Sequence, residues 1–199
     1  MVAREVMTVH LNLGSNLGDR RALLSAGAAA VAAALPGSWS VSQPVETEPW
    51  GFESEHPFLN IGMMGHLAAP LDPEAILNRL QAIERTLGTG PHRDASGRYI
   101  DRALDIDIIS IDITPADTLP PPAAANAPTH IPGSPATAAS TPTPVPGSPA
   151  DIPAAASAPV PLRLETPRLT LPHPRARLRD FVLIPLRQLC PTHPLLREI

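Results

Sequence analysis

Two aspartates, Asp105 and Asp107, stand in the run Leu104-Asp105-Ile106-Asp107-Ile108-Ile109. Residues two apart in a β-strand project from one face, so the carboxylates share a side while Leu104, Ile106 and Ile108 take the other. Like charges side by side on a sheet cost stability unless a cation lies between them. Magnesium, which takes a few carboxylate oxygens together with phosphates and waters, suits such a pair. Removing either carboxylate is therefore expected to relax the ligand-free protein. A one-sided sheet with both aspartates in water has the same pattern, and alternation alone does not separate the two readings. Arg93, Arg98 and Arg102 precede this strand, and Arg168, Arg175, Arg177 and Arg179 follow at a distance. Guanidinium forks match phosphate oxygens, and a transferred phosphoryl group needs several fixed donors beside its metal. Taken singly, each arginine fits a solvated basic loop better than a phosphate contact.

Phe58 and Asn60 form a second group. Two apart on a strand, they offer a stacking face and an amide that both donates and accepts, which a flat heteroaromatic ligand requires. Phe58 taken alone is more often a core residue. His173, between Pro172 and Pro174, reads either as a turn residue or as a phosphate ligand. His10 and His56 show no metal-ligand spacing and receive no role. Gly14-Ser15-Asn16-Leu17-Gly18 lacks the spacing and the lysine of a phosphate cradle, so it reads as a structural turn.

These residues need elements to hold them. Met7–Leu13 alternates as a half-buried strand, with Val9, Leu11 and Leu13 opposite Thr8, His10 and Asn12. A turn with Asn16 or Asp19 as N-cap leads into a helix over Ala22–Leu35. Arg20-Arg21 before that alanine-rich run imitates a signal peptide, but the run is too short for a bilayer. Leu24, Ala28, Val31 and Leu35 also fall on one helical face, as in an amphipathic core helix. Strands are expected at Trp39–Val45 and Phe58–Leu67, the latter weakened by Gly62 and Gly65. Asp72-Pro73-Glu74 is a strong helix start, Ile76, Leu80, Ile83 and Leu87 its stripe, and Gly88 its stop. A polar loop, Thr89–Arg102, precedes the acidic strand over Ala103–Ile113. From Thr114 to Pro161 the composition turns to Pro, Ala, Ser and Thr with almost no charge, which cannot bury enough surface to offset ordering entropy. Beyond it come a short strand at Arg168–Leu171 and a helix at Asp180–Leu189 carrying Pro185. The order β-α-β-β-α-β predicts a single α+β domain over 1–199, ferredoxin-like and layered, with a mostly antiparallel sheet and a disordered insertion at 114–161.

Bulk properties exclude several classes. All 15 basic residues are Arg, which removes a Walker-type P-loop and leaves every cationic phosphate contact to guanidinium groups. A net charge of −4 gives no support to a nucleic-acid or membrane-surface binder. The lone cysteine, Cys190, forbids an intrachain disulfide and suits a reducing cytoplasm.

In order along the chain, LNLGSNLGD (Leu11–Asp19), VETEPWG (Val45–Gly51), PFLN (Pro57–Asn60), QAIE (Gln81–Glu84), RALDID (Arg102–Asp107), LTLPHP (Leu169–Pro174) and FVLIPL (Phe181–Leu186) resemble the 6-hydroxymethyl-7,8-dihydropterin pyrophosphokinases of folate biosynthesis. The resemblance covers nearly the whole chain outside the insertion. It implies transfer of a diphosphate from ATP to the pterin hydroxymethyl group, releasing AMP. Asp105 and Asp107 would hold two magnesium ions. Phe58 and Phe181 would sandwich the pterin, Asn60 would bond its edge, and Thr47, Glu48, Pro49 and Trp50 would line its pocket. Gln81, Glu84, Ile108, Arg168, Thr170, His173 and Arg179 match positions that contact ATP, and Arg102 matches one that meets substrate and phosphate. The chain departs from the pattern in carrying Thr89 after Gly88 and a longer loop to Tyr99, so both Arg93 and Arg98 stand as its catalytic arginine. The insertion at 114–161 also replaces a short connection, and its ends are expected to lie close in space. A non-catalytic pterin or nucleotide binder would have no need of the carboxylate pair. An RNA-binding module would need exposed strand aromatics and a basic face, and neither is evident.

Overall fold

The computed structural model describes residues 5–87, 95–97, 99–115 and 160–197. The chain folds as an α+β unit around a six-stranded sheet in the order β2-β4-β1-β5-β6, every neighbouring pair antiparallel. The strands are β1 (Glu5–Ser15), β2 (Gly37–Val41), β3 (Val45–Thr47), β4 (Phe58–Leu67), β5 (Asp105–Pro115) and β6 (Val160–Pro161). β2 and β3 follow one another along the same edge of β4. The single strand expected at Trp39–Val45 is thus two. At the break, Ser42 bonds its own N–H to Gly62 O at 3.0 Å and accepts from Gly62 N through Oγ at 2.8 Å.

Helices α1 (Arg20–Ala34) and α2 (Pro73–Thr86) cover one face. Both start as the sequence dictates: Asp19 accepts from Ala22 N, and Asp72 accepts from Ala75 N ahead of Pro73. Leu24, Ala28 and Val31 of α1 and Ile76, Leu80 and Ile83 of α2 pack on Val9, Leu11, Leu13, Ile106 and Ile108. The opposite face carries α3 (Asp180–Leu189), whose Val182 and Leu186 join Ile109 and Leu195. With both faces covered, β1 is buried on each side, and the expected half-buried strand is corrected: Thr8, His10 and Asn12 are all buried.

β5 contains a bulge. It pairs Ser110 with His10 and Ile108 with Leu11, which leaves Ile109 unpaired and shifts the phase of the strand. Asp105, Asp107, Ser110 and Asp112 consequently all project toward α3, while Ile106, Ile108 and Ile111 stay in the larger core.

The acidic strand also runs further than expected. Thr114 and Pro115 pair with Val6 and Glu5, and Val160 and Pro161 pair with Ile113 and Asp112. The boundaries 114–161 therefore move inward, to residues 116–159, which lie outside the described residues. The strands that flank that segment, β5 and β6, pair with one another, as expected for an insertion with close ends. The strand expected at Arg168–Leu171 shrinks to β8 (Thr170–Leu171), paired with β7 (Leu164–Glu165). Arg168 sits instead in a turn closed by Thr166, which accepts from Arg168 N and Leu169 N. The helix stop at Gly88 lies outside the described residues.

Candidate active site

A cavity of about 290 Å³ opens where the C-terminal half of β1, the start of β4, the start of β5 and the N-terminus of α3 converge. Asp105, Asp107, Arg102, Arg179, His173, Phe58, Asn60, Phe181, Thr47, Glu48 and Trp50 all line it. Pro49 sits in the chain between two of these. Residues spread along the whole sequence thus reach one space. Asn12, Gly14, Phe52 and Tyr99 line it too. Asn12 lies on the expected strand, on the side opposite Leu11 and Leu13, whereas Gly14, read from sequence as the start of a turn, continues β1.

The two carboxylates are half-buried and each has an arginine. Arg102 Nη1 donates to Asp105 Oδ2 at 2.7 Å, and Arg179 Nη1 donates to Asp107 Oδ2 at 3.3 Å. The repulsion expected between the aspartates is therefore already offset in the ligand-free protein, which corrects the expectation that only a metal relieves it. Aromatic rings flank both guanidinium groups. Arg102 lies 5.8 Å from the Phe58 centroid and 5.3 Å from that of Tyr99, and Arg179 lies 4.7 Å from Trp50 and 5.5 Å from Phe181. Such cation–π contacts hold a cation near an acidic group without consuming all of its donors.

The supporting contacts are local and specific. Asn16, at the turn after β1, accepts from Arg102 N through Oδ1 at 2.8 Å and donates to Asp101 Oδ1 at 2.6 Å, so the turn clasps the approach to β5. Asn60 donates to Thr47 Oγ1 at 3.1 Å, which fixes its amide orientation. Gly14 is required beside it, since a Cβ there would come within 2.9 Å of Asn60 Oδ1. His173 accepts from Arg175 N at Nδ1, which leaves Nε2–H free to donate. Burial first, then the Arg179 and Arg175 cations, hold that imidazole down at about 4, so it is a neutral donor at neutral pH.

Five of the residues matched to ATP contacts lie outside this cavity. Glu84 is buried and accepts from Ile106 N at 2.7 Å, which anchors the start of the acidic strand to α2. Ile108 points into the core. Arg168 donates to Asn78 Oδ1 at 2.7 Å and Gln81 Oε1 at 3.2 Å on the exposed side of α2, and Thr170 is exposed on β8. Arg93 and Arg98 lie outside the described residues.

One further polar cluster sits deeper under α3. His10 Nε2 is 3.1 Å and His193 Nε2 is 3.4 Å from Asp112 Oδ2, all three residues buried. The spacing resembles a metal site, but His193 Nδ1 accepts from Leu195 N at 3.1 Å. Neutral His193 must then carry its hydrogen on Nε2 and has no lone pair there for a metal. Burial pushes the Asp112 carboxyl up, but hydrogen bonds from His10 and His193 outweigh it and hold it at about 2. The cluster pins the C-terminal turn to the sheet. A hard divalent cation is better matched by the half-buried carboxylate oxygens of Asp105 and Asp107.

Comparison with known proteins agrees with this geometry. Residues 10–191 match the family described as 7,8-dihydro-6-hydroxymethylpterin-pyrophosphokinase (HPPK). A 2-amino-4-hydroxy-6-hydroxymethyldihydropteridine pyrophosphokinase of Porphyromonas gingivalis is 35% identical over 94% of this chain and 93% of its own length. Proteins of the same description from Mycobacterium bovis and Bacillus subtilis are 30% and 26% identical, over 92% and 91% of this chain and 73% and 77% of their own. The chain belongs to the 7,8-dihydro-6-hydroxymethylpterin-pyrophosphokinase family.

Proposed function

We propose that this chain transfers a diphosphate from ATP to 6-hydroxymethyl-7,8-dihydropterin, with the work divided among the cavity residues as follows. The observation that carries this assignment is that one cavity joins an aromatic slot to a carboxylate pair. Phe58 and Phe181 receive the pterin ring, and Asn60, oriented by Thr47, reads its edge beside the backbone of Thr47–Trp50. Asp105 and Asp107 would hold two magnesium ions, which would supply positive charge to neutralise the ATP phosphates.

The hydroxymethyl oxygen attacks the β-phosphorus and loses its proton to water, the bond from that phosphorus to the α-phosphate oxygen breaks, and AMP leaves. Arg102, Arg179 and the neutral Nε2–H of His173 donate to the phosphate oxygens as their charge shifts. In doing so the two arginines exchange a carboxylate partner for a phosphate partner, and the aromatic rings beside them keep them near the reacting groups. One of Arg93 and Arg98 adds a further guanidinium from the loop before β5. The rest of ATP extends outward past Thr170 toward Arg168 and Gln81, with Glu84 and the Ile108 backbone supporting that side.

The strand order, with α1 and α2 on one face of an antiparallel sheet, supports a ferredoxin-like reading of the fold. The single half-buried thiol of Cys190 is consistent with a cytoplasmic setting. Among the described residues no helix is long and apolar enough to cross a membrane.

The direct test is AMP release from ATP, measured with and without magnesium and with and without the pterin. Release should require both. Release that is independent of the pterin would overturn the assignment of acceptor.

A further inference from the structure

Asn12 occupies a position that packing alone does not explain. It lies on β1 directly opposite Asp107 on β5 and Gly62 on β4. Directly opposed residues on antiparallel strands share a face, with Cβ atoms about 5 Å apart. Asn12 thus stands beside the carboxylate on the floor of the cavity, and it is only 5% exposed. Its Oδ1 is buried and has no hydrogen-bond partner.

An unsatisfied buried amide oxygen costs about 1–3 kcal/mol, and a leucine would fill the same volume without that cost. The oxygen needs a hydrogen donor that arrives with a ligand. A hard cation held by a carboxylate keeps part of its water shell, and each bound water directs its hydrogens outward toward acceptors. Asp107 stands next to Asn12 on the same sheet face. Arg179, which donates to Asp107 through Nη1, makes no hydrogen bond to this oxygen.

We infer that Asn12 is a positioning residue for the cation at Asp107: its Oδ1 accepts a hydrogen bond from a water bound to that ion and so sets the ion's affinity. This rests on the proposed role of Asp107. Partners one step removed from a metal commonly change its affinity about 10-fold or more when lost. The amide contributes without adding a third negative charge beside Asp105 and Asp107. It therefore strengthens metal binding while leaving the ligand-free site no more repulsive.

The test titrates magnesium against the full-length protein at fixed α,β-methylene-ATP and reads the rise in melting temperature. Binding of oxidised 6-hydroxymethylpterin in metal-free buffer is followed separately by tryptophan fluorescence. Asn12→Leu should raise the half-maximal magnesium concentration about 10-fold and leave metal-free pterin binding unchanged. Asn12→Asp keeps an acceptor in place and should hold that midpoint at the wild-type value or lower it. An unchanged midpoint in Asn12→Leu, a loss of metal-free pterin affinity instead, or an equal rise in both variants would each overturn the inference. Absence of any magnesium-dependent stabilisation in the wild type would instead sink the role of Asp107 itself, which keeps the two failures apart.

Discussion

At the scale of single residues, the site is a set of charges compensated before any ligand arrives. Arg102 is largely buried, with its side chain 11% exposed, and Asp105 is its 2.7 Å partner. Asp105→Ala leaves that guanidinium short of an acceptor, so the variant should lose on the order of 1–3 kcal/mol of stability as well as orders of magnitude in turnover. Asp105→Asn retains an acceptor for Arg102 and should recover most of the stability but not the turnover. Thermal melts beside the AMP-release assay separate the two effects. A ligand-free Asp105→Ala protein as stable as the wild type would mean that the Arg102 contact is energetically idle. Sequence alone points to the opposite sign, relaxation on removing a carboxylate. The spacing of Asp105 and Asp107 is a local property of a strand, whereas the arginine that meets each aspartate depends on the fold. Arg179 lies far from Asp107 in sequence, and no periodicity relates them.

At the scale of elements, the legible features were those generated within one segment. Asp19 and Asp72 cap the helices they precede, and the apolar stripes of α1 and α2 reach the core because capping and amphipathic periodicity are local. The Ile109 bulge was not legible, because it exists only through the pairing of β5 with β1. It nevertheless decides that Ser110 and Asp112 share a face with Asp107. Gly62 is another pairing-dependent feature. In sequence it only weakens a strand, but in the fold it lets α3 approach the sheet. A Cβ at Gly62 would stand 2.9 Å from Pro185 Cβ and 3.2 Å from Leu189 Cδ1. Gly62→Ala should therefore lift α3 and shift Phe181 at its first turn and Arg179 at its cap. The expected result is a higher KM for the pterin with a smaller change for ATP, together with about 1–3 kcal/mol of destabilisation from overpacking. Steady-state kinetics varying each substrate in turn would check this. Unaltered kinetics for the pterin would show that α3 has room to move without disturbing the slot.

At the scale of the whole molecule, β5 and β6 meet at Ile113 and Val160, so the sheet closes regardless of what joins them. Replacing residues 116–159 with a short Gly/Ser linker should keep turnover. Cutting a connection roughly eightfold lowers its closure entropy by about 2 kcal/mol, so the melting temperature should be unchanged or slightly raised. Loss of most turnover in such a folded variant would make the segment part of the site. Acid stability depends on buried and half-buried imidazoles distributed over the fold. Burial lowers His10 and His66 below the ordinary histidine value, and burial with Arg179 and Arg175 lowers His173 to about 4. Below pH 6.5 the unfolded chain takes up protons that these folded groups refuse, so stability falls as the pH drops from 6.5 toward 4. Asp112 contributes nothing in that window. Its carboxyl is held at about 2 against 3.8 when free, so its share is complete above 3.8 and is lost only as the pH falls through 2. Melting temperatures measured from pH 7.5 down to 5 should thus decline steadily in the wild type. They should decline less steeply in His173→Gln and His66→Gln, each of which removes one titrating imidazole. A variant curve parallel to the wild type would mean that the substituted histidine takes up its proton in the folded state as readily as in the unfolded chain.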